Sequence, residues 1–140
     1  MPETSDSQIL DILQQVRTIA LVGASEKTNR PSHKVMHYLQ QQGYRVIPVN
    51  PGLAGQQLLG ETVYADLKSL PVPVDMADLF LAPQRTDTVI DQAIAMNIPV
   101  LWLQIGVINQ KGAERARQAG LKVVMDRCPK MEIPRLIPRP

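Results

Sequence analysis

The chain has 140 residues, 44% of them hydrophobic and 20% charged, the size and balance of one domain built around a single core. A formal net charge of +2 with 4% aromatic residues argues against a nucleic-acid partner, and no apolar run approaches the roughly 18 residues of a membrane span. The single cysteine, Cys128, excludes an internal disulfide and a cysteine-pair zinc site.

At the N-terminus, MPETSDSQIL lacks the basic-then-apolar order of a signal peptide, so a cytoplasmic protein is expected. Ser5, Asp6 and Ser7 each suit a helix cap, and Ile9, Leu10, Ile12, Leu13 and Val16 follow at helical spacing. RTIALVG reads as a strand buried on both faces and ended by Gly23. HKVMHYLQQQG reads as a helix with Val35, Met36 and Leu39 on its apolar stripe and Gly43 as a left-handed stop. YRVIPVN is a second strand, closed by Pro51 and Gly52.

From Leu53 to Pro73 the pattern is least regular, with an edge strand at TVY and a helical turn at ADLKSL. DMADLFL is a strand, TDTVIDQAIAMN a helix capped by Thr86 and stopped near Asn97, and PVLWLQI a strand. NQKGAERARQAG is a helix between Asn109 and Gly120, and LKVVMD is the last strong strand. The basic residues near the end, Arg127, Lys130, Arg135 and Arg139, read as solvated, and the Pro-rich end PRLIPRP reads as a tail. Strands and helices alternate, with connections too long for hairpins. The expected fold over residues 1–140 is α/β and Rossmann-like: an open, mostly parallel sheet of five to six strands with helices on both faces.

In such a sheet, ligands lie beyond the carboxyl ends of the strands, where the strand order reverses. The reversal is expected between IALVG and DLFL, so that the loop opening at Gly23 faces LAPQ, Leu81 to Gln84. Gly23 allows a tight turn and a close backbone approach, and Ala24 and Ser25 keep the path small. A helix starting near Pro31 and Ser32 points free N–H groups back at the crevice, which suits a phosphate. Lys27 and Arg30 add charge. The alternative is a glycine that merely ends a strand, followed by a solvated connection from Ser25 to Arg30.

The loop is not G-x-G-x-x-G, since Ser25 and Thr28 stand where two fingerprint glycines would be. The second strand ends in Val49-Asn50-Pro51, without the carboxylate that takes the ribose hydroxyls of NAD. Taken together, IALVGASEKTNRPSHKVMHYLQQQGYRVIPVNP, LWLQIGVIN and GLKVVMDRCPKMEIPRL resemble the small stand-alone bacterial coenzyme A-binding proteins, which are similar to the nucleotide-binding domain of the succinyl-CoA synthetase α subunit. The resemblance covers nearly the whole chain. It implies a Rossmann-like fold and CoA as ligand, with Gly23, Ala24 and Ser25 at the pyrophosphate and Asn50 and Pro51 at the adenosine end. It also implies Gln104, Ile105 and Gly106 beside the pantetheine arm. Leu81 departs from the arginine usual in those small proteins, while Ala82 and Pro83 match the Pro-Ala-Pro loop of the synthetase domain and border the ligand. The synthetase reaction needs a phosphohistidine domain, and the sequence ends at Pro140 without one, so the resemblance implies binding without catalysis.

His33 and His37 share a helix face at i,i+4, but a metal site needs a third ligand and none is indicated. Asp78 lies among apolar residues; if buried, it must be hydrogen-bonded. Cys128 follows the last strand's tip and is the candidate nucleophile of an alternative reading, an enzyme acting on an acyl-CoA thioester. A nicotinamide-dependent redox regulator is a third reading, disfavoured by Asn50 and the missing glycines.

Overall fold

Residues 4–137 are described by a computed structural model in which the short apolar runs are strands and the amphipathic segments are helices. The strands are β1 (Thr18–Val22), β2 (Arg45–Val49), β3 (Gln57–Leu58), β4 (Glu61–Thr62), β5 (Met76–Leu79), β6 (Val100–Leu103) and β7 (Lys122–Met125). The helices are α1 (Asp6–Gln15), α2 (Pro31–Gln41), α3 (Thr86–Ala95), α4 (Gln110–Gln118) and α5 (Pro129–Leu136). Five strands form one parallel sheet in the order β2-β1-β5-β6-β7, and β3 and β4 form a separate antiparallel pair. The order reverses between β1 and β5, as the sequence predicts. Val22 stands opposite Val49 and Leu79, Leu79 opposite Leu103, and Leu103 opposite Met125, so all five strands end on one edge.

Both sheet faces are covered, which is why β6 is a continuous apolar run and β1 is one after Thr18, and why β5 is buried throughout although it carries Asp78. On one face, Leu13 of α1, Met36 of α2 and Ile133 of α5 join Ile19, Leu21 and Trp102 in one core. On the other, Ile90 of α3 and Ala113 and Ala116 of α4 pack with Ala20, Leu79 and Leu101. α3 and α4 meet at Gly112, where a Cβ would lie 2.7 Å from Ile90 Cδ1 and the Ile90 side chain would have to shift. Trp102 is fully buried and donates its indole N–H to the Arg127 carbonyl at 2.8 Å.

Some local expectations are sharpened and others change. Ser5 is the cap of α1, in a capping box with Gln8. Thr86 is not the cap of α3 but its first residue, and its hydroxyl donates to the Pro83 carbonyl at 2.7 Å. The irregular segment folds into the β3–β4 hairpin, a bridge between Val49 and Tyr64, and a 3₁₀ turn at Leu67–Ser69. The C-terminal end is not a solvated tail as far as Ile137. Pro134 lies inside α5, where it costs one helical hydrogen bond, yet Ile133 is buried and Arg135 pairs with Asp6 at 2.8 Å and Glu132 at 2.6 Å. Arg139 and the last prolines lie outside the described residues. No described helix is long and apolar enough to cross a membrane.

Asp78 is fully buried between Leu21 and Trp102, but the expected hydrogen bond is missing: neither carboxyl oxygen has a partner among the described residues. Burial therefore pushes its pKa well above the ordinary aspartate value of about 4. The folded chain then holds this proton more tightly than the unfolded chain. Stability is greatest below the unfolded pKa and falls as pH rises through the window above it. Asp78→Asn, which copies the neutral acid, is expected to melt several degrees above wild type at pH 8, with the gap closing toward pH 4. Parallel melting-temperature profiles for the two proteins would contradict this origin of the pH dependence.

Candidate functional site

β1 and β5 diverge at their carboxyl ends because the chains that follow them leave on opposite faces of the sheet. The crevice opens at that divergence, a cavity of about 1000 Å³ at the upper end of the range for small-molecule sites. Gly23 sits at its base with φ +91°, and a Cβ there would lie 2.2 Å from the Phe80 carbonyl oxygen. Neither the conformation nor the space admits a side chain.

The turn after Gly23 is held from below by named bonds. The N–H groups of Gly23 and Ala24 both reach the Val49 carbonyl, at 2.9 and 3.3 Å. The Asn50 amide donates to the Ala24 carbonyl at 2.7 Å and accepts from the Gly52 N–H at 2.8 Å. His33 Nδ1 lies 3.0 Å from the Ser25 carbonyl. This contact requires the tautomer protonated at Nδ1, or the doubly protonated ring. In a trans peptide the N–H points opposite to the carbonyl of the same unit. Anchoring the carbonyls of Ala24 and Ser25 therefore aims the N–H groups of Ser25 and Glu26 the other way, and neither has a partner among the described residues. Ser25 Oγ accepts from the Lys27 N–H at 3.1 Å and tightens the turn further.

Beyond the turn, α2 starts without help from side chains. Its N-cap residue, Arg30, makes no capping bond, its first residue is proline, and its first turn holds no acid, whereas Ser5 and Asn109 cap α1 and α4. An uncapped helix start with two free turn amides before it is a concave set of donors suited to an anion.

Most of the site residues read from the sequence meet in this cavity. Gly23, Ala24, Ser25, Lys27 and Arg30 line it from the first turn, Asn50 and Pro51 from the tip of β2. Ala82 lines it from the loop after β5, and Gln104 and Ile105 from the end of β6. Two do not: Pro83 turns away into a 3₁₀ helix (Pro83–Arg85), and Gly106 lies outside the wall, its N–H donating to Asp126 Oδ1 at 2.8 Å. Gln104 is 8% exposed, and its Oε1 is buried with no partner among the described residues. Such an acceptor is satisfied most simply by an N–H supplied by a ligand.

Cys128 does end up beyond the tip of β7, but it is buried in the core as the N-cap residue of α5 and does not line the cavity. His37 is exposed, while His33 serves the turn. The sequence reading missed the far wall. Arg85, just before α3, and Thr88 and Gln92 on it recur at i, i+3 and i+7 and line the cavity, and Asp66 borders it from the segment after β4. The spacing on α3 was visible in the sequence; the position of Asp66, set by the Val49–Tyr64 bridge, was not.

Comparison with known proteins gives the family. Residues 17–134 match the CoA binding domain family, and the chain belongs to that family. It is 33% identical over 131 residues to the uncharacterised protein YneT of Bacillus subtilis (strain 168), covering 94% of this chain and 96% of that one. A solved structure from Thermus thermophilus, cell-free ID.343, superposes with a TM-score of 0.91 at 38% identity, covering 96% of this chain and all of that one. Part of a dinucleotide-forming acetyl-coenzyme A synthetase of Ca. Korarchaeum cryptofilum shares the fold alone, with a TM-score of 0.65 at 22% identity over 78% of this chain and 26% of that one.

Gly23→Ala tests the base of the site. The positive φ and the collision with Phe80 are expected to lower unfolding free energy by about 2–4 kcal/mol in urea denaturation. Wild-type stability would mean that β1 and β5 are not held at this separation.

Proposed function

We propose that the cavity binds coenzyme A or an acyl-CoA, with the pyrophosphate on the Gly23-Ala24-Ser25 turn and the start of α2, and that the protein holds this ligand without transforming it. The observation that carries the reading is the pair of unpartnered N–H groups, Ser25 and Glu26, set before an uncapped helix. Lys27 and Arg30 stand at the same turn and supply positive charge. The adenosine end then falls at Asn50 and Pro51, and the pantetheine arm runs toward Gln104 and Ile105. The orphaned Gln104 Oε1 matches one of the arm's amide N–H groups.

Support for binding over catalysis comes from Cys128, the candidate nucleophile, which is buried away from the cavity. A nicotinamide dinucleotide would lack its usual ribose acceptor. Asn50 stands at that position and commits both ends of its amide to the protein.

Calorimetric titration of the ligand-stripped protein is expected to show saturable CoA binding that weakens as salt rises. Gln104→Leu is expected to lower CoA affinity about tenfold while leaving adenosine 3′,5′-bisphosphate, which lacks the arm, within about twofold. Equal loss for both ligands would place Gln104 elsewhere, and no CoA binding by folded wild type would overturn the reading.

A further inference from the structure

The cations that line the cavity stand in two separate places. Lys27, Arg30 and Arg85 line it against a single acidic side chain, Asp66. None of these three cations forms a side-chain hydrogen bond or ion pair among the described residues. The acids nearest Arg85 in sequence are engaged elsewhere: Asp87 accepts from Asn109 at 2.8 Å and Arg115 at 3.1 Å, and Asp91 accepts from Arg115 at 3.1 Å. Arg85 therefore faces the cavity with its charge uncompensated.

Its position separates it from the other two. Lys27 and Arg30 belong to the connection between β1 and α2, whereas Arg85 immediately precedes α3, across the point where strand order reverses. The Val49–Tyr64 bridge brings Ala65 and Asp66 beside the tip of β2, and the 3₁₀ turn that follows packs against α3. The helix that carries Thr88 and Gln92 thus neighbours the segment that the bridge holds beside the tip of β2, the strand tip to which the adenosine end is assigned above. A ligand that uses both groups of cations has two separate anionic centres.

Resting on the CoA reading above, we infer that Arg85 recognises the 3′-phosphate of the adenosine, the group that separates CoA from dephospho-CoA. A guanidinium offers a planar fork to two oxygens of a phosphate monoester, and Thr88 and Gln92 add neutral donors along the same face. Lys27 and Arg30 remain with the pyrophosphate, which both nucleotides share.

The test is calorimetric titration of wild type, Arg85→Gln and Arg30→Gln with CoA and with dephospho-CoA. Wild type is expected to prefer CoA, on the order of tenfold or more. Arg85→Gln is expected to remove most of that preference by weakening CoA alone, and Arg30→Gln to weaken both nucleotides. The inference is overturned if wild type binds the two equally, if Arg85→Gln weakens both alike or neither, or if Arg30→Gln is the variant that loses the preference. Wild type that binds neither nucleotide would remove the CoA reading together with this inference, whereas any of the other contrary results leaves CoA binding standing.

Discussion

The contact on which the site depends is the approach of Gly23 to the Phe80 carbonyl. Two parallel strands whose connections leave on opposite faces must part at their ends, and the ligand crevice is the space between those departures. How close the floor of that space comes to the sheet is set by the residue at 23. Without a side chain, backbone meets backbone, and the following residues turn at once toward α2. A Cβ would push β1 from β5 and lift the turn, so the sheet's register and the site's floor are one constraint.

Hydrogen-bond accounting explains why the turn presents donors rather than acceptors. Buried carbonyls seek partners, and those of Ala24 and Ser25 find them in Asn50 and His33. Once they are fixed, planarity of the peptide unit leaves the next two N–H groups as the free ones. Asn50 and His33 are thus positioning residues: Asn50 comes from the neighbouring strand's tip and His33 from the helix the turn leads into. Asn109 does similar work on the other side, accepting from the Gly112 N–H while donating to Thr86 and Asp87, and so ties the start of α4 to the start of α3. Asn109 and, next, Arg115 hold the exposed Asp87 carboxyl below the ordinary aspartate range.

The sequence made the parallel sheet, its order reversal between β1 and β5, four of the five helices and the near wall of the cavity legible, because those depend on periodicity, on glycine at a strand end and on the general position of ligands at an order reversal. It misled where a local signal met a tertiary one. Pro134 reads as a helix breaker, yet α5 persists through it because Ile133 is buried and Arg135 reaches Asp6 near the other end of the chain. Asp78 reads as a carboxylate that must find a partner, and the sheet buries it without one. The resemblance implies Asn50 at the adenosine end, and the structure adds that both ends of its amide are used by the protein while it lines the cavity. The far wall was hidden for a different reason: Asp66 reaches the cavity through the pairing of Tyr64 with Val49, a long-range contact with no local pattern.

The central claim is that backbone amides of the first turn, backed by the start of α2, hold the ligand's pyrophosphate. Amide NMR during a CoA titration tests it most directly. The account predicts that the largest shifts fall on the N–H groups of Ser25, Glu26, Ser32 and His33, with hydrogen exchange slowed at the first two. Saturable binding that leaves those four amides unmoved, with the large shifts elsewhere on the surface, would contradict it.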